Sequence, residues 1–130
     1  SPTLAQLGIT FPLPDRYVLL PSEVSEIQTA TDAYNQTIKS IADSNENIAF
    51  VDAKAIMTKL GSSTGIVGNN FTLTSAYVYG GAFSLDGIHP SPRGYALIAN
   101  EFLNAINGKF GSNFKGVNLG NYRIQFPPSL

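Results

Sequence analysis

PSEVSEIQTATDAYNQTIKSIADSNENIAFVDAKAIMTKL, residues 21–60, holds the change of period from which the fold class is read. Pro21-Ser22-Glu23 supplies helix-start chemistry, and Val24, Ile27, Ala30, Tyr34, Ile38 and Ile41 or Ala42 then recur at spacings of three and four. That spacing lines one face of a helix with apolar side chains and predicts an amphipathic helix over about 22–44. Asn45-Glu46-Asn47 reads as a turn, and Ile48-Ala49-Phe50-Val51-Asp52 as a short buried strand, its β-branched and aromatic residues suiting a sheet. AKAIMTKL, residues 53–60, returns to helical character, with Asp52 placed to cap it and Gly61 to end it.

Working outward, residues 1–20 carry Pro2, Pro12 and Pro14 without a sustained period and read as an irregular lead-in. Residues 61–85, rich in Gly, Ser, Thr, Asn and Tyr, read as a long loop of the kind that often carries function, with one short strand at Phe71–Leu73 or Tyr77–Tyr79. Ser91 is placed to cap a helix beginning at Pro92, with Tyr95, Ile98, Ala99, Phe102, Leu103 and Ile106 as its apolar stripe and Gly108 as its end. The tail, residues 109–130, has no helical period; Tyr122 to Phe126 reads as extended before Pro127-Pro128. Helix, strand, helix, loop, helix gives an α/β layout in one domain, 1–130. A parallel sheet buried on both faces needs several strands, and this chain offers two or three, so the expectation is an incomplete domain with its central strands encoded upstream.

Composition narrows the function classes. Eight basic and nine acidic residues leave a formal charge of −1 with no basic run, which argues against nucleic acid or an anionic membrane as the main partner. With no cysteine and one histidine, thiolate and histidine-rich metal sites are excluded, and no cofactor is expected. No stretch reaches the roughly 20 apolar residues of a membrane helix. Only 13% of residues are charged while Ser, Thr, Asn and Gly abound, a balance often met in proteins that work outside the cytoplasm.

The one histidine, His89, stands three positions after Asp86 in FSLDGIHPSPRGYALIANEF, residues 83–102. A neutral imidazole can take a proton from a nucleophile, and a carboxylate on its other nitrogen fixes the tautomer. Gly87 permits unusual dihedrals, Pro90 stiffens the exit, and the capped helix that follows would hold the turn still. On residue types alone the commoner reading of the pair is another, a surface or helix-flanking histidine beside an Asp-Gly turn. The stretch from Asp86 to Tyr95 and its following helix resembles the last block of the SGNH, or GDSL-type, serine hydrolases, in which an Asp-x-x-His pair precedes the C-terminal helix.

The resemblance implies that this chain is the C-terminal part of a three-layer flavodoxin-like fold, with the N-terminal strands missing. It implies His89 as general base, Asp86 as its orienting carboxylate, and a carboxylic ester as substrate, either an acyl ester or an acetylated sugar. The family's nucleophile lies in a Gly-Asp-Ser block near the N-terminus, and its oxyanion hole draws on that serine and on a Gly and an Asn of two later blocks. None of these blocks occurs in the 130 residues, and Gly68-Asn69-Asn70 is only an echo of one. Gly61-Ser62-Ser63-Thr64-Gly65 fits Gly-x-Ser-x-Gly in letters, but that elbow needs a strand before the serine and a helix after it, and the flanking sequence offers the reverse. Tyr77, Tyr79 and Phe83 stand just ahead of the pair, where they could line a substrate pocket or pack against the domain. Two functions follow: an ester hydrolase whose serine lies upstream, or a non-catalytic domain that keeps the family's C-terminal frame for packing or binding. Either way the isolated chain is expected to self-associate or to be poorly stable, and sedimentation as a compact, stable monomer would count against this.

Overall fold

The first helix, α1 (Pro21–Asp43), starts on local chemistry: the Leu20 N–H donates to Glu23 Oε2 at 2.8 Å, half of a capping box, with proline at the first helical position. In the computed structural model, which describes residues 9–124, the chain divides into two units between Ile41 and Ala42. The first unit holds a 3-10 turn at Asp15–Tyr17 and nearly all of α1. The sequence expectation for this helix holds to within a residue at each end, but its apolar stripe lies in the open: Ile27, Tyr34, Ile38 and Ile41 are each more than half exposed. The lead-in as far as residue 8 lies outside the described residues.

The second unit is built around α2 (Ala53–Leu60) and α3 (Pro92–Phe110). Asp52 caps α2 as expected, its Oδ1 accepting from the Ala55 N–H at 2.8 Å. The strands β1 (Ile66–Gly68) and β2 (Phe71–Leu73) pair antiparallel, with Ile66 opposite Leu73 and Gly68 opposite Phe71. Asn69 and Asn70 between them have φ of 50° and 67°, the left-handed pair of a two-residue hairpin turn whose twist matches that of its strands. Leu60, Leu73, Ala82, Ala96, Leu97 and Leu119 form the buried core, flanked by Ile56, Ile66, Phe71, Phe83 and Val117.

Several expectations change. Residues 48–52 belong to no assigned strand among the described residues, and Ala49 N–H and C=O and Val51 N–H meet no hydrogen-bond partner among them. The loop 61–85 contains β1, three residues too short to show a period, while Tyr77–Tyr79 forms a turn rather than a strand. Gly108 lies inside α3; the helix ends at Gly111, whose φ of 63° is the left-handed cap. The fully buried residues of α3 are Gly94, Ala96 and Leu97; of the expected stripe Ile98, Leu103 and Ile106 are part-buried, while Tyr95 and Phe102 are about half exposed. Among the described residues the sheet is thus a two-stranded antiparallel hairpin, consistent with a partial α/β layout.

The tail is a strap on α3. Asn100 Nδ2 donates to Val117 O at 2.9 Å and its Oδ1 accepts from Val117 N–H at 2.7 Å; Asn107 grips Phe114 the same way. Further on, Arg93 Nε donates to Leu119 O and Tyr122 O at 3.1 and 3.0 Å while its guanidinium lies over the Phe71 ring. The extension foreseen from Tyr122 onward falls, from residue 125, outside the described residues.

Candidate active site

Residues 82–91 form a tight antiparallel return that carries Asp86 and His89 at its tip. Ser91 N–H donates to Ala82 O at 2.9 Å, Phe83 bridges Pro90, and Ser84 N–H donates to His89 O at 2.8 Å. Gly87 N–H then closes the tip by donating to Ser84 O at 3.1 Å. Gly87 has φ of 71°, so a side chain there would be strained although there is space for one.

The base of the return is fastened to α3. Ser91 is fully buried; its Oγ donates to Gly81 O at 2.6 Å and accepts from the Gly94 N–H at 3.0 Å, so one hydroxyl caps the helix and ties it to the loop. Gly94 lies so close to the loop that a Cβ would clash with Ala82 O. The Ser-Pro-Arg-Gly run after His89 therefore has a physical reading: serine caps, proline begins the helix, arginine holds the tail, and glycine admits the loop backbone.

At the tip, His89 Nδ1 lies 2.6 Å from Asp86 Oδ2. Oδ1 of the same carboxylate accepts from Ser84 Oγ at 2.6 Å and from the N–H groups of Ile88 and His89, each at 2.9 Å. These donors hold the Asp86 carboxyl well below the usual carboxylate range, the Ser84 hydroxyl first, then Ile88 N–H, the His89 ring and His89 N–H. An ionised carboxylate only accepts, so the proton between the two side chains sits on Nδ1, and in the neutral ring the lone pair is then on Nε2. His89 is 70% exposed and Nε2 has no hydrogen-bond partner among the described residues. The arrangement can take a proton at Nε2 and stabilise the resulting imidazolium through Asp86.

The structure brings Asp86 and His89 together, as their spacing suggested, and brings no serine to Nε2 among the described residues. Ser63 is exposed between helix α2 and strand β1, the reverse of a nucleophile elbow, and its cleft is lined by Leu60, Gly61, Ser62, Thr74, Ser75 and Ala76. Gly68-Asn69-Asn70 belongs to the β1–β2 turn, where Asn69 Oδ1 accepts from Leu119 N–H at 3.0 Å. Among the described residues no three His, Asp or Glu side chains gather closely enough to hold a metal ion. Of the aromatics ahead of the pair, Phe83 packs on the core, while Tyr77 and Tyr79 are exposed. Tyr77 Oη donates to Leu85 O at 2.9 Å, bracing the residue before Asp86. The sequence reading missed Ser84 and this role of Tyr77; a serine two residues before an aspartate was the available signal for the first.

Comparison with known families agrees with the resemblance. A family model described as GDSL-like Lipase/Acylhydrolase matches residues 1–102. That span is well over half of the 130 residues, and the chain belongs to this family. It is a hydrolase of the GDSL, or SGNH, type, of the esterase and lipase kind, in a family that acts on esters and has an α/β fold. No curated protein and no solved structure was found to match it. No helix among the described residues is long and apolar enough to cross a membrane.

Proposed function

We propose that this chain supplies the general base and its orienting carboxylate to a serine ester hydrolase, and that the nucleophile comes from outside these 130 residues. The serine hydroxyl gives its proton to His89 Nε2 as its oxygen attacks the ester carbonyl. His89, now imidazolium, is stabilised by Asp86 and returns the proton to the leaving alcohol oxygen; a water that His89 deprotonates then attacks the acyl-enzyme, and His89 passes that proton to the serine oxygen as the acid is released. The substrate is a carboxylic ester, either of an acyl chain or of an acetylated sugar. The observation that carries this reading is the 2.6 Å approach of Nδ1 to a carboxylate already held by three other donors, with Nε2 open.

The same reading extends to the fold: the chain is the C-terminal part of a three-layer, flavodoxin-like domain, with further strands pairing beside residues 48–51. The unbonded backbone of Ala49 and the exposed stripe of α1 support it, because a sheet satisfies both. The absence of a serine at Nε2 among the described residues equally favours the alternative, a domain that keeps the frame for packing or binding alone.

Hydrolysis of a short-chain aryl ester distinguishes them, using a polypeptide that joins these residues to the proposed nucleophile segment. The catalytic reading expects His89→Ala to lower kcat by about 10⁴-fold and Asp86→Asn by about 10²-fold or more, with KM little changed. Full activity in His89→Ala would sink it.

A further inference from the structure

Asp86 must present one particular oxygen to His89, and the structure shows what decides which. Its Oδ1 takes Ile88 N–H and His89 N–H from one strand of the return. The third donor, Ser84 Oγ, comes from the opposite strand at 2.6 Å, the shortest of the three. Backbone donors alone hold Oδ1 from one side and leave the carboxylate free to rock about its Cβ–Cγ bond; a donor from the other strand opposes that motion. Ser84 is itself fixed by its backbone, its N–H donating to His89 O at 2.8 Å and its C=O accepting from Gly87 N–H at 3.1 Å.

We infer that Ser84 is a positioning residue for the Asp86–His89 pair: its hydroxyl clamps Oδ1 across the return so that Oδ2 stays aimed at His89 Nδ1. This rests on the proposal that the pair is the catalytic base and its orienter. Ser84 acts on the imidazole through the carboxylate, without touching the ring or the reacting atoms. It is not a nucleophile in disguise, because its hydroxyl proton is given to Asp86 and not to His89. A short hydrogen bond to a charged acceptor is stronger than one between neutral groups, which suits it to resist rotation.

His89 is the only histidine, so its ring nitrogens are read without assignment ambiguity in the full chain labelled with ¹⁵N-histidine. The measurement is the tautomer ratio of the neutral ring in wild type, Ser84→Ala, Ser84→Thr and Asp86→Asn. Wild type is expected to carry its proton mainly on Nδ1, and Asp86→Asn to shift it toward Nε2. Ser84→Ala should raise the Nε2–H share about threefold or more while the amide fingerprint stays folded, since its backbone bonds remain; Ser84→Thr, which keeps the hydroxyl, should restore the wild-type ratio. A wild-type ratio in Ser84→Ala would overturn the role of Ser84 alone, whereas a wild type already resembling Asp86→Asn would overturn the pair itself. In the joined, active polypeptide the same clamp predicts about a 10-fold lower kcat for Ser84→Ala with KM unchanged, the loss of roughly one hydrogen bond; an unchanged kcat would also overturn it.

Discussion

At the scale of single residues, the site depends on how a half-exposed aspartate is kept ionised and still. Asp86 has no buried environment to exploit; four donors around its two oxygens do the work instead. Because those donors lower its pKa below the unfolded value of about 3.9, the carboxylate stabilises the fold fully above that value, and the contribution is lost as pH falls through and below it. Denaturant unfolding between about pH 5 and pH 2 should therefore show wild type losing stability more steeply than Asp86→Asn, in which the titrating group is gone. Parallel slopes for the two proteins would mean that the donors seen around Asp86 do not favour its charged form.

At the scale of elements, what could be read from the sequence was what is locally determined. The starts of α1, α2 and α3 were legible because Pro21-Ser22-Glu23, Asp52 and Ser91-Pro92 carry their capping chemistry in the adjacent letters. The end of α3 was misplaced because Gly108 is tolerated within the helix, and the left-handed conformation belongs to Gly111. β1 was missed since three residues show no period, although Asn69-Asn70 marked its turn. In the site, the Asp86–His89 spacing was visible, whereas Ser84 and Tyr77 act only because the chain folds back, which sequence spacing does not display. The tail strap was invisible for a similar reason, although Asn100 and Asn107 lie two turns apart on one face of α3. Each makes a two-point bond to backbone, so Asn107→Ala should speed hydrogen exchange at the Phe114 amide about 10-fold or more while leaving Val117 protected, and Asn100→Ala the converse. Unchanged protection in both variants would show that the strap is held by something other than these amides.

At the scale of the whole molecule, the family assignment and the exposed surfaces bear on the same question. Ile27, Tyr34, Ile38 and Ile41 of α1 stand open, and separately Tyr95 and Phe102 of α3 do so, as the proposal of further packing partners expects. A GDSL-type hydrolase needs a serine, and the described residues place none at His89 Nε2. On the proposed function this chain bears the base, with its carboxylate and the turn that holds them, and the nucleophile lies elsewhere. The most direct test is the intact mass of the 130-residue chain after incubation with a fluorophosphonate that labels activated serines, beside His89→Ala. The account predicts no stoichiometric adduct on either protein; a stoichiometric adduct on wild type that disappears in His89→Ala would put the nucleophile within this chain and contradict it.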